Sequence, residues 1–298
     1  LIESFKNSPH RPEAIYALAG EKREAKEFAA ALEDIETLLR EYGQSAIAGL
    51  ATLEKARILS DMGKSEEAIR ALEGFLRENP KHEETPRALY SLAWAWWALA
   101  EPKFEEAKKA EKALRDAAGG EDFASLPEPR KQALAPLRKG WEEKVQAAQA
   151  DEDRMAAALQ RLVAEYPAFN RVDAAWLHLG EIAYSRKQYA EALARYEKAL
   201  AAAEARKGSD VADKALYRVA WCHLRLAEGL EQQAAQSEKN ERSRLLLAAA
   251  EKRRASLASF EKLATAYPQT ELGAEGYFRA AELRREAKDY DGAITEYK

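Results

Sequence analysis

Cysteine is almost missing from this chain. Cys222 stands alone among 298 residues, which excludes an internal disulfide and removes disulfide usage as a guide to compartment. Valine is nearly as scarce, five copies against 63 alanines. With Leu, Glu, Lys, Arg and Gln filling much of the remainder, the composition favours helix nearly everywhere and predicts no sheet. Charge of one sign is lacking too. The 47 basic and 51 acidic residues are mixed along the chain and sum to −4, so no overall field attracts nucleic acid or an anionic membrane. No apolar run approaches the roughly 18 residues that span a bilayer, and no secretory signal peptide opens the chain. The first residues are LIESF, without an initiator methionine, so a targeting segment removed from a longer protein is compatible with this start.

Catalytic signatures are absent as well. There is no phosphate loop G-x4-G-K-[ST], no nucleophile elbow G-x-S-x-G, no H-E-x2-H and no C-x2-C. Acidic pairs such as Glu105-Glu106 lie in charged helical stretches, where carboxylates solvate a face or complement a helix start. The four histidines, His10, His82, His178 and His223, are far apart in sequence. His178 and His223 with Cys222 raise the question of a metal, but neighbouring residues on a helix point about 100° apart and therefore do not converge. The expectation is no enzyme, no cofactor and no metal.

What is present is a repeat. In DAAWLHLGEIAYSRKQYAEALARYEKAL (Asp173 to Leu200), Trp176, Leu179, Gly180 and Ala183 share one helical face. Ala192, Tyr196 and Ala199 do the same after a break at Arg186 to Gln188. Gly180 and Ala192 mark where two antiparallel helices approach closely, with larger residues on either side. The W-x2-L-G then A-x3-Y-x2-A pattern resembles the tetratricopeptide (TPR) family of 34-residue helical hairpins. The resemblance implies an all-α fold, a right-handed TPR superhelix of about six hairpins. It also implies that Ala19, Ala31 and Ala93 are buried at helix crossings beside Gly180 and Ala192.

Aligned to this hairpin, units fall near residues 12–43, 49–80, 86–167, 173–206, 213–268 and 274–298 of one array. The third and fifth carry insertions. Within the third, helical periodicity covers Lys103 to Ala118 and roughly Leu137 to Ala164, separated by breaker-rich Gly119 to Pro129. The later stretch either merges into the repeat's closing helix, or a closing helix begins at Phe104 and Ala107 and leaves an extra hairpin. In the fifth, Glu228 to Ala250 reads as helix on both sides of a turn near Ser237 to Asn240. Residues 1–5 align with the end of an earlier second helix and the sixth unit stops in its closing helix, so the sequence reads as a fragment of a longer array. Uncapped ends could pair with each other.

Two regularities sharpen this. Ala88 to Glu101 and Ala215 to Glu228 agree at eight of fourteen positions, which suggests duplication of a two-repeat block. Units close on Tyr166-Pro167 and Tyr267-Pro268, since proline disfavours helical geometry in the residue before it. This ending is similar to the repeat subtype of bacterial envelope proteins, including the outer-membrane barrel-assembly lipoprotein and the periplasmic coordinator of the Tol-Pal system. It implies a periplasmic or cell-envelope location.

In the TPR family the inner face of the first helices receives peptides. The alignment places Tyr90 and Trp94 there in the third unit and Tyr217 and Trp221 in the fifth, each pair spaced i, i+4 and so on one face. Trp97, Tyr184, Arg218, Phe278 and Arg279 extend that surface. The family's lysine and asparagine clamp for a C-terminal carboxylate is absent, so tail recognition of that kind is not implied. The inserted helices either leave these aromatics open as a groove or fold back over them. The resemblance thus implies a non-enzymatic scaffold for a peptide or protein partner. The alternative is an intracellular adaptor, a regulatory array or a self-assembling structural one.

Overall fold

A computed structural model describes residues 8–206 and 208–297, with the side chains of 296 and 297 excepted. The expectation for residues 1–5 lies outside the described residues. Among these residues there are twelve α-helices and no strand, in two compact units, Leu1–Leu162 and Val163–Lys298.

The first unit holds α1 (Arg11–Glu24), α2 (Phe28–Tyr42), α3 (Ala48–Asp61), α4 (Ser65–Glu78), α5 (Thr85–Ala117) and most of α6 (Glu128–Glu165). Pro12 and Pro86 sit in the first turns of α1 and α5, where a missing N–H costs nothing. The insertion lengthens both helices of one hairpin instead of adding a second. Phe104 lies inside α5, which runs through Pro102 without a break. A proline removes one backbone bond, but the buried stripe runs from Ala100 before it to Ala107 and Leu114 beyond it, so packing holds the helix in register. The hairpin is antiparallel: Lys103 pairs with Asp151, Lys144 with Glu106, and Arg130 donates to the Ala118 carbonyl.

The second unit holds α7 (Val172–Ser185), α8 (Tyr189–Ala205), α9 (Ala212–Ala235), α10 (Lys239–Ala266), α11 (Glu271–Glu286) and α12 (Tyr290–Tyr297). Here too both helices of a hairpin are lengthened, α9 to 24 and α10 to 28 residues. The turn between them, at residues 236–238, overlaps the one expected near Ser237 to Asn240, with Lys239 and Asn240 already in α10. Helices α6 and α10 stop at Glu165 and Ala266, immediately before the two Tyr-Pro pairs.

Four short turns share one geometry. Lys26, Gly63, Lys187 and Lys288 all adopt positive φ, between 61° and 74°. The next residue's N–H reaches back to the helix, as Gln188 does to the Ala183 carbonyl at 2.9 Å and Lys64 to that of Leu59 at 2.8 Å. Such αL endings satisfy carbonyls that a helix terminus would leave unpaired.

The crossings are as tight as the small residues require. Ala19, Ala31, Ala93 and Ala192 are each 0% exposed and Gly180 is buried. A Cβ added at Gly180 would lie 2.5 Å from the Tyr196 ring, and Tyr196 is itself fully buried. In the first unit Ile15, Ile35, Leu38 and Ile58 pack around Ala19 and Ala31. Each such aliphatic side chain contributes about 1.5–3 kcal/mol when removed from water.

One buried charge holds an inter-repeat joint. Asp173, 1% exposed, opens α7 and accepts from Arg206 Nη2 at 2.6 Å, Ser209 Oγ at 2.6 Å and the Ala174 N–H at 2.8 Å. Burial pushes its carboxyl up, but these three donors outweigh it and hold it below the usual carboxylate range. The end of α8 and the start of α9 are thereby tied to the first turn of α7.

Candidate functional site

In the first unit, Tyr90 and Trp94 project from the same side of α5, their rings edge to face at 5.9 Å. Both are half-buried. They line a cleft of about 520 Å³ with Ser91, with Ala56, Arg57 and Ser60 of α3, and with Arg23 of α1. Its rim is charged and internally paired. Arg23 bonds Glu54 at 2.6 Å and Asp61 at 3.1 Å, and Glu54 is 4% exposed. Trp97 belongs elsewhere: its ring tilts against Phe104 at 6.2 Å.

In the second unit, Tyr217 and Trp221 repeat the edge-to-face pair at 6.1 Å, but both also touch Phe260 of α10, at 6.1 and 5.9 Å. Phe260 is fully buried. Two guanidiniums cover the Trp221 ring, Arg225 at 5.4 Å and Arg279 at 5.2 Å, close enough for cation–π attraction. Arg279 also lies over Phe278, at 5.5 Å, and bonds Glu275 and Glu282 at 2.7 Å each. Arg218 bonds Glu181 at 2.7 Å and lies over Tyr184 at 5.5 Å. Tyr184 in turn meets Tyr189 edge-on at 5.2 Å. Six of the nine residues singled out in the sequence therefore form one cluster on the first helices α7, α9 and α11. Phe278 is its most open ring, 45% exposed.

The electrostatics of this face keep its cations charged. Burial works against the Arg218 guanidinium, yet the Glu181 carboxylate outweighs it and the net shift is upward. For Arg225 the hydrogen bond to Glu228 is the largest influence, and its shift is upward as well. Beneath this surface the Cys222 thiol is pushed up to about 12 by burial, so it stays protonated at neutral pH and is a packing group, not a nucleophile. Burial, then Lys214, lowers His178, and burial, then Lys252, lowers His223. The Nδ1 of His223 is buried without a hydrogen bond. Among the described residues no three His, Cys, Asp or Glu side chains gather as a metal would need, and no helix is long and apolar enough to cross a membrane.

Phe260, Arg225 and Glu181 complete the second cluster and were not singled out from the sequence. Arg225 was legible there, since it stands four residues after Trp221 on the same face. Phe260 lies 39 residues from Trp221 and meets it only because the lengthened α9 and α10 fold into one hairpin.

Residues 9–126, about two fifths of the chain, match the family model described as YfiO, an outer membrane lipoprotein. Over that stretch the chain is similar to this family, and its paired antiparallel helices have a tetratricopeptide-like fold. No curated protein matches the chain. Among solved structures, the MamA protein is 15% identical over 87% of this chain and 97% of its own, with a TM-score of 0.44. A monomeric mutant of IFIT1, solved with Gppp-AAAA, is 13% identical over 94% of this chain and 57% of its own, with a TM-score of 0.39. The apo quorum sensor NprR from B. thuringiensis is 14% identical over 99% of this chain and 88% of its own, at a TM-score of 0.27.

Proposed function

We propose that this protein is a non-enzymatic scaffold that binds a peptide or protein surface in a bacterial cell envelope, through the aromatic faces of its first helices. The repeats belong to one array, near residues 12–43 to 274–298, and the two aromatic faces are its recognition elements. The match of residues 9–126 to an outer membrane lipoprotein family supports the envelope setting. The observation that carries the binding role is the Tyr90–Trp94 pair, half-buried beside a cleft of about 520 Å³ on the first-helix side. Such rings bury large area at small entropic cost and dominate binding hot spots.

The test combines capture with stability. Immobilised wild-type chain retains specific proteins from a solubilised envelope extract, and Trp94→Ala weakens retention by about 2 kcal/mol or more, the hot-spot threshold. Unchanged capture by Trp94→Ala, with the fold intact by circular dichroism, rejects this face as the partner site.

A further inference from the structure

A second, larger cleft lies in the first unit, about 900 Å³ in volume and lined by α4, α5 and α6. It shares no residue with the cleft at Tyr90 and Trp94. The α5 contribution is Leu89, Leu92, Trp96 and Leu99, at alternating three- and four-residue steps. These form one apolar stripe, and with Lys103 the lining spans about 21 Å at 1.5 Å per residue. On α6 it meets Ala157 and Ala158, side chains too small to fill the space. Arginines follow in i, i+7 pairs, Arg154 and Arg161 on α6 and Arg70 and Arg77 on α4.

We infer that this cleft is a docking site for one amphipathic helix of a partner protein, apolar face inward and carboxylates toward the α6 arginines. The shape is that of a helix-in-groove site: an apolar strip about three turns long, bounded by charge at helical spacing. The charge is specific as well. Five cationic and three acidic side chains line the cleft, an excess of two in a chain whose net charge is −4. The acid on the α6 side, Asp151, is buried and already bound by Lys103 and Arg154, and the excess of cationic side chains around it leaves the lining net positive. On α4 the pairing is loose: Arg70 stands 3.9 Å from Glu66, and the two are 67% and 76% exposed. Exposed pairs of that kind cost little to rearrange around a ligand. A flat lipid surface does not reach a stripe recessed between helices; a helix does. Trp96, capped by Arg154 at 4.5 Å, is the anchor such a helix would meet.

The test uses a fluorescein-labelled designed helical peptide of about 18 residues, with leucines on one face and glutamates flanking them. A second peptide has every glutamate replaced by lysine. Anisotropy titrations with the full chain should give at least about tenfold tighter binding of the glutamate peptide, weakening as salt is raised. Arg154→Glu combined with Arg161→Glu should reverse the preference. Ala157→Trp should abolish binding by filling the cleft. Ala157 is exposed, so no core is disturbed, and an unchanged thermal midpoint verifies this. Trp94→Ala should leave the peptide's affinity unchanged, which separates this site from the first-helix face. The inference falls if the peptides bind equally or neither binds, if Ala157→Trp retains binding, or if Trp94→Ala removes it. It also falls if phosphatidylglycerol vesicles, and not the peptide, lose binding when the two arginines are reversed.

Discussion

Tyr90 with Trp94 and Tyr217 with Trp221 are one motif in two settings. Both pairs stand in the segments that agree at eight of fourteen positions, both are edge to face near 6 Å, and both are half-buried. Their neighbours differ. Around Trp221, Phe260 fills the space below and Arg225 and Arg279 lie over the ring. In the first unit, Leu159 occupies the place that Phe260 has in its own, since each stands seven residues before its Tyr-Pro. Leu159 is buried, and Trp94 borders a cleft of about 520 Å³. The two pairs therefore differ in what faces them: a buried ring and two guanidiniums at Trp221, and at Trp94 a cleft lined from α1, α3, α4 and α5.

The largest effect should come from removing that difference. Phe260→Ala takes a fully buried ring from beneath both Tyr217 and Trp221 and should cost about 3–5 kcal/mol in chemical denaturation. A loss below about 1 kcal/mol would show that the second pair does not depend on Phe260.

Two glycines on first helices give a contrast in sign. At Gly180 a Cβ would press on Tyr196 at 2.5 Å, and a fully buried ring has no room to yield, so Gly180→Ala should cost about 1–3 kcal/mol. Ala192→Phe belongs to the same class of overpacking. At Gly20 nothing lies within 4 Å of the added atom, so Gly20→Ala should gain about 0.5–1 kcal/mol from helix propensity. If Gly180→Ala leaves the denaturation midpoint unchanged or raises it as Gly20→Ala does, the close approach at Gly180 is wrong.

The tryptophans themselves come next. Trp221→Ala removes contacts with Phe260 and two guanidiniums, interactions worth about 0.5–1.5 kcal/mol per aromatic pair beyond area. It should therefore destabilise the fold by at least about 1 kcal/mol more than Trp94→Ala. Equal losses would erase the distinction between the pairs.

Acid should act on the α7–α9 region in two steps. The folded pKa values of His178 and His223 lie below 6.5, by burial first. Their contribution is complete above pH 6.5 and is lost as pH falls through the folded values. Asp173 is held below 3.8, so its contribution is present above that pH and is lost only at stronger acid. His178→Gln should flatten the first step without changing the second, read as denaturation midpoints across the pH series. An unchanged first step would remove His178 from the account.

The sequence made the repeats legible because a tight crossing admits few residue types. Gly180, Ala19 and Ala192 at helical spacing are the imprint of that constraint. The aromatics were legible as a shared face for the same periodic reason. What surrounds them was not. The Phe260 contact joins residues 39 apart across a lengthened hairpin, and the cleft under Arg70 and Arg154 brings α4 and α6 around α5 from 84 positions apart. Local periodicity carries no record of either. The continuity of α5 through Pro102 was hidden by a local signal that packing overrides.

The smallest expected effect concerns the turns. Gly63 and Lys187 hold the same left-handed geometry, φ 74° and 61°, and close with the same pair of backbone bonds. For a residue with a Cβ that conformation costs about 1–2 kcal/mol, which glycine avoids. Glycine, however, loses about 0.5–1 kcal/mol more backbone entropy on folding. The second offsets about half of the first, so Lys187→Gly should stabilise by at most about 1 kcal/mol, and Gly63→Lys should destabilise by a similar amount. Opposite signs of comparable size would establish that the two turns are energetically one. A stability loss in Lys187→Gly would mean that the lysine side chain, not the backbone, governs the turn between α7 and α8.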